Sequence, residues 1–210
     1  MAASQVGAFN PGDVFANAKT AKSQDRFTHL AAAAARMAVD DAKLDLGAVD
    51  KTLFGCYVGS AFGGMATFEE QTLKLAKSGP PKVSPFTIPA LLGNTASSVI
   101  GIELGSQGPN FGVTSACAVG SHAIGEALNT IRRGDADIML AAGSEAAIMP
   151  LSFAGFSSMK AMCTAPPSTI ISKRGRAPWT RTVAVSSWAR AGVLLLDAGA
   201  CRKARRHHLM

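Results

Sequence analysis

Pro109-Asn110-Phe111-Gly112-Val113-Thr114-Ser115-Ala116-Cys117-Ala118-Val119-Gly120-Ser121-His122-Ala123-Ile124-Gly125 is the stretch that organises the rest of the chain. Phe111, Val113 and Ser115 alternate with Gly112, Thr114 and Ala116, which suits a strand with both faces covered. Ala118, Gly120, Ala123, Gly125 and Ala127 then allow a helix to pack closely on that sheet. Cys117 stands at the junction, where a nucleophile would sit on an elbow. The turn lifts the sulfur out of the sheet, and the helix N-terminus behind it favours the thiolate. A free cysteine is more often a small buried residue. The strand, cysteine and glycine-rich helix in that order favour the nucleophile.

Working outward, Asp25 to Leu44 reads as a helix, with Phe27, Leu30, Ala34, Met37 and Ala38 at helical spacing and a run of alanines. His29 within it reads as a surface or half-buried side chain. Leu53 to Gly59 is a short apolar run between polar residues and glycine, so a strand, with Cys56 in the core. Thr67 to Lys77 is a helix stopped by Gly79-Pro80-Pro81. Gly63-Gly64 lacks the Gly-Lys-Ser/Thr sequel of a nucleotide loop. Ser84 to Pro89 is expected as an extended loop and Ala90 to Leu104 as one helix. Downstream, Arg132-Arg133-Gly134 closes the Cys117 helix with basic residues and a glycine cap. Asp137 to Gly143 is the next buried strand, and 150–162 a loop and short helix. This strand–helix–strand order predicts an α/β fold with a right-handed crossover in a mostly parallel sheet.

Composition narrows the function classes. The chain has 210 residues, 48% hydrophobic, with a net charge of +7. Nine of its 21 basic residues and one of its 14 acidic residues lie in 165–210, leaving 12 basic and 13 acidic residues in 1–164. The positive charge therefore belongs to the tail, and the body has no footprint for nucleic acid. No run reaches the apolar length of a membrane span, and the N-terminus shows no targeting segment. Cys56, Cys117, Cys163 and Cys201 have no CxxC spacing, which argues for a reducing compartment and against a structural metal.

Thr114 to Ile124 resembles the active-site segment of the β-ketoacyl-acyl-carrier-protein synthases, the condensing enzymes of fatty-acid synthesis. The likeness continues through Ile131 to Ala146 and Pro150 to Phe156. Upstream it includes Gly59-Ser60-Ala61-Phe62-Gly63-Gly64-Met65 and Ser84-Pro85-Phe86-Thr87-Ile88-Pro89. It spans roughly residues 10–164. The resemblance implies a thiolase-like layered αβαβα fold, incomplete, with most of the N-terminal half present and its first strand missing before Asn10.

It further implies that Cys117 takes an acyl group from a carrier-protein thioester, with its backbone N–H in the oxyanion hole. The acyl-enzyme then condenses with decarboxylated malonyl-carrier protein. Phe62, Ala147, Ser152 and Phe156 would line the acyl channel, and Thr87 would reach it across a dimer interface. No cofactor is implied, since acyl groups arrive on the phosphopantetheine of acyl carrier protein. The implied partners are that carrier and a second copy of the chain. The compartment would be cytoplasmic in a bacterium and plastid in a photosynthetic eukaryote. The two malonyl-activating histidines belong to the family's C-terminal half, so the chain alone is expected to be a fragment inactive in condensation. His122, five residues after Cys117, is expected to face away from the turn. A polyketide ketosynthase and a non-catalytic dimerisation partner are the competing readings; the second usually lacks the cysteine.

Past Thr164 the likeness stops. Val185 to Ala191, written as GTT-TCG-TCA-TGG-GCG-AGG-GCG after a G, spells the family's Gly-Phe-Val-Met-Gly-Glu-Gly when read one base earlier. Ala191-Gly192-Val193-Leu194-Leu195-Leu196 then matches the family directly. Residues 1–164 are thus expected as the N-terminal half of a synthase domain. Residues 165–210 are expected as an out-of-frame basic tail with a family-like piece at 191–196. His207-His208 and Trp179 with Trp188 then carry no metal or nucleic-acid reading.

Overall fold

Phe54–Gly59, a run with every residue buried, forms the strand β1 at the middle of the fold. The computed structural model describes residues 10–162 and, for the backbone, 191–197. Before β1 come a 3-10 turn at Pro11–Asp13 and the helices α1 (Ala18–Lys22) and α2 (Arg26–Asp41). After it come α3 (Met65–Ser78), α4 (Thr87–Leu91), α5 (Thr95–Leu104) and β2 (Asn110–Val113). A 3-10 turn at Ala116–Ala118 leads into α6 (Val119–Arg133), followed by β3 (Ile138–Ser144), α7 (Pro150–Ser158) and β4 (Ala191–Asp197).

The four strands lie in the order β2-β1-β3-β4. β1 is parallel to both β2 and β3, with Gly59 opposite Val113 on one side and Gly143 on the other. β4 pairs antiparallel with β3 over its full length, from Ile138 opposite Asp197 to Ser144 opposite Ala191. Alternation along the strands sorts their side chains to two faces. Phe54, Cys56, Val58, Leu140 and Ala142 meet α2 and α5 through Phe27, Leu30, Ala31, Ala35, Val99 and Ile100. Tyr57, Met139 and Ala141 meet Ala123, Ala127 and Ile131 of α6 on the other face. A fully buried Phe27 alone is worth roughly 1.5–3 kcal/mol of transfer free energy.

Local chemistry fixes where the elements begin and end. Asp25 caps α2 by accepting from the Phe27 N–H. Its other oxygen accepts from the Thr67 N–H at 2.8 Å and hydroxyl at 2.7 Å in the first turn of α3. One buried carboxylate therefore serves the N-termini of two helices. Gly134 closes α6 with φ of +84°, a left-handed cap that glycine adopts without steric cost.

The structure departs from the sequence expectations in several places. β2 is an exposed edge strand, not one with both faces covered, and it ends at Val113. Its Phe111 ring lies against Tyr57, centroids 3.9 Å apart, while remaining 45% exposed. The expected Ser84–Pro89 loop and Ala90–Leu104 helix are redistributed into α4 and α5. Pro89 is tolerated because it lies in the first turn of α4, where its missing N–H has no intrahelical partner. Extended Leu92 then interrupts the run, ahead of Gly93-Asn94. Helix α2 ends three residues before Leu44, and Met37, expected on its apolar face, is 71% exposed. Gly125 of α6 faces open space instead of the sheet. The tail expectation lies outside the described residues, apart from β4.

The shared carboxylate of Asp25 gives a stability test. Asp25→Ala loses a cap and leaves the Thr67 donors unpaired, for an expected loss of roughly 2–4 kcal/mol. Urea unfolding of the two proteins measures it; an unchanged midpoint would show that neither helix depends on this group.

Candidate active site

The parallel strands β1 and β3 end side by side, and the loops leaving them share one end of the sheet with the start of α6. Open α/β sheets bind ligands at this carboxyl end. Two glycines let α6 come down onto the strands. A Cβ on Gly59 would lie 2.7 Å from Val119 Cβ, and one on Gly143 would lie 3.0 Å from Gly120 Cα. Contacts under 3.0 Å are not seen between real Cβ atoms and their neighbours, so a side chain on Gly59 would force Val119 to shift, while one on Gly143 would meet α6 at an unusually tight distance.

Cys117 stands on this approach, in the 3-10 turn just ahead of α6, and its side chain is exposed. The turn is tight because Ala116 adopts φ of +50°, the left-handed region, at a cost on the order of 1 kcal/mol for a residue with a Cβ. The Ala118 N–H donates to Ser115 O at 3.1 Å and closes it. His122 does not face away, as expected, but shares a 2.7 Å hydrogen bond between Nδ1 and Ser115 Oγ. Helical side chains tilt toward the N-terminus, so one in the first turn reaches the segment before it. Cys56, unlike Cys117, is buried. It is 1% exposed, and burial pushes its thiol up to about 12.

The other site residues predicted from sequence fall on neighbouring segments. Phe62 lies in the loop after β1 and is 43% exposed. Its ring meets Phe156 of α7 edge to face, centroids 6.5 Å apart at 87°. Ser152, one turn before Phe156, is buried, and its hydroxyl has no hydrogen-bond partner among the described residues. Ala147 is buried in the link between β3 and α7. Helix α7 is held to α3 by the Leu151 N–H, which donates to Glu69 Oε2 at 3.1 Å. Thr87 is only half-buried, and its hydroxyl donates to Ser84 O at 2.6 Å, just ahead of α4. That helix touches the Phe62 loop through the Gly64 N–H, which donates to Leu91 O at 3.1 Å.

Sequence reasoning assigned no role to Glu145. It follows β3 directly, and its Oε2 accepts from the Ala61 N–H at 2.9 Å, the Phe62 N–H at 3.1 Å and Ser60 Oγ at 3.3 Å. Oε1 accepts from the Ala146 N–H at 3.1 Å. Burial raises its carboxyl above the ordinary value, and these donors pull it back only in part. The available signal was an acid placed directly after an apolar strand, at the end of the sheet where loops carry function.

The fold that carries Cys117 over the carboxyl end of its parallel sheet is that of the thiolase-like ketosynthases. Residues 2–178 match the model of the beta-ketoacyl synthase N-terminal domain, and the chain belongs to that family. It is 44% identical over 146 residues to 3-oxoacyl-[acyl-carrier-protein] synthase 2 of Staphylococcus aureus, which covers 70% of this chain and 36% of that protein. The chain thus matches little more than a third of this curated relative's length. Its fold is similar to that of the ishigamide ketosynthase/chain length factor, with TM-score 0.78 and 25% identity over 96% of this chain and 48% of that one. It is also similar to a type II PKS ketosynthase structure with its acyl-carrier protein (TM-score 0.67, 24% identity, 76% of this chain and 46% of that one).

The contrast between the two described thiols is directly measurable. A soluble alkylating agent at mildly alkaline pH is expected to modify Cys117 in the native chain and to reach Cys56 only on unfolding. Peptide mass spectrometry reads both sites; native labelling of Cys56 at a matching rate would contradict this burial.

Proposed function

We propose that this chain carries the nucleophile and part of the acyl pocket of a 3-oxoacyl-[acyl-carrier-protein] synthase of fatty-acid synthesis. The observation that supports it most is the exposed Cys117, held on a strained turn at the N-terminus of a long helix over the carboxyl end of the sheet. The substrate is an acyl thioester on the phosphopantetheine arm of acyl carrier protein. The Cys117 thiolate attacks its carbonyl carbon, forming a carbon–sulfur bond. The Cys117 N–H stabilises the oxyanion that results. Collapse breaks the original thioester bond and releases the carrier's thiol as its thiolate, leaving the acyl group on Cys117.

In the second step malonyl thioester loses carbon dioxide, and its electron pair becomes an enolate. The enolate carbon attacks the acyl-Cys117 carbonyl; a carbon–carbon bond forms and the Cys117 thiolate leaves. By the family pattern, the groups that assist this step lie in the other half of the fold. The 210-residue chain by itself is therefore expected to acylate but not to condense. Identity to the fatty-acid enzyme favours that substrate class over a polyketide one, and Cys117 favours a catalytic chain over a non-catalytic partner. The exposed edge of β2 would accept a strand from a second copy, extending the sheet across a homodimer. Residues 1–164 are read as the N-terminal half of the domain and the rest as an out-of-frame tail. The full-length pairing of β4 with β3 supports 191–196 as a returning piece of the family sequence.

Two measurements test this. Incubation with acyl-carrier-protein thioesters is expected to add one acyl mass at Cys117, and Cys117→Ala to abolish it; acylation surviving that substitution would overturn the nucleophile. The Phe62 ring adds bulk to the pocket wall, so Phe62→Ile is expected to shift the profile toward longer primers. Each additional buried methylene is worth about 0.8 kcal/mol. Coincident profiles would remove Phe62 from the pocket.

A further inference from the structure

We propose that Glu145 is a positioning residue that sets where Phe62 stands, and so which acyl lengths Cys117 accepts. This rests on reading Phe62 and Phe156 as pocket walls. The geometry behind it is a short bridge across the end of the sheet. Gly59 and Gly143 are register partners, so the chain leaving β1 and the chain leaving β3 start side by side. The Glu145 carboxylate spans them. A single oxygen, Oε2, receives the Ala61 and Phe62 N–H groups and the Ser60 hydroxyl. Ser60 Oγ in turn accepts from the Gly63 N–H at 2.9 Å, so every residue from 60 to 63 is tied to Glu145 directly or through one hydroxyl.

The far side of the loop is equally restricted. Gly63 has φ of +65°, and a Cβ there would lie 2.6 Å from Leu91 O. Phe62 therefore has its own N–H on the carboxylate and its successor wedged against α4. Hydrogen bonds to a charged acceptor are short and directional and stronger than neutral ones. Among the described residues no cation pairs with Glu145; backbone and hydroxyl donors meet its charge, and these are the groups that define the loop's path. The ring that results faces Phe156 edge to face. Loss of the carboxylate frees the peptide that carries Phe62 and leaves Cys117 and α6 where they are.

The test uses the full chain with Glu145→Gln and Glu145→Ala. Amide hydrogen exchange is expected to speed up by about tenfold or more at Ala61, Phe62 and Gly63 in Glu145→Ala, with protection in β1 and β3 retained. Acyl transfer to Cys117 is then measured with short and long acyl-carrier-protein thioesters. The ratio of long to short is expected to rise by about fourfold, the worth of one buried methylene. Glu145→Gln, which keeps one acceptor, should fall between. In a Phe62→Ala background the Glu145 substitutions are expected to leave the ratio unmoved.

Unchanged exchange at the three amides, or faster exchange with an unchanged ratio, would overturn the proposal. So would loss of protection throughout the sheet in both variants, since that is a general folding role. Absence of any acyl group on Cys117 in the unsubstituted chain would instead overturn the pocket reading on which it rests.

Discussion

The structure depends on how closely α6 can approach the ends of β1 and β3. Gly59 under Val119 and Gly143 under Gly120 bring the helix close onto the strands, a separation at which a side chain on Gly59 would clash and one on Gly143 would be tightly crowded. Everything at the site follows from it. The turn before α6 must be tight enough to enter at that height, and Ala116 takes the strained conformation that makes it so. Cys117 comes next and projects from the sheet end. Close packing also holds the turn in place, because an interior at crystal-like density offers it nowhere to relax. Ala123 and Ala127 continue the same contact down the helix. Each buries little area, so their value lies in the approach they allow rather than in their own transfer energy.

Much of this was legible in the sequence, because it is written in local signals. The apolar run at Phe54–Gly59, the small residues after Cys117 and the Arg132-Arg133-Gly134 ending each specify an element by neighbours within one turn or one strand. What was not legible depends on distant partners. That β2 is an edge strand cannot be read from Phe111, Val113 and Ser115, since alternation says nothing about how many neighbours a strand has. The division of α4 from α5 turned on Leu92, whose extended backbone no propensity demands. His122 turns back toward Ser115 because helical side chains tilt toward the N-terminus, which spacing along the axis alone does not show. Glu145 lay in plain view, but its role needs the 83–85-residue separations over which its carboxylate meets the loop.

The same division applies within the site. Phe62 and Phe156 were named from a resemblance and are brought face to edge by the fold. Ser152 precedes Phe156 by four residues on α7 and so lies on the same helix face. Thr87 gives its hydroxyl hydrogen to Ser84 O in the turn before α4, an ordinary local bond that a motif comparison does not reveal. A motif identifies which segments converge; the hydrogen bonds decide which side chains on them are left to meet a substrate.

β3 has consequences beyond the site. It is flanked by β1, made well before it, and by β4, made well after it. As the polypeptide leaves the ribosome, the side of β3 that will receive β4 has no partner until residue 197 has emerged. For that interval Ile138–Ser144 presents open backbone donors and acceptors on an apolar strand, the kind of edge that pairs with other chains. The order of synthesis thus leaves β3 an open edge after β1 already has strands to pair with on both sides.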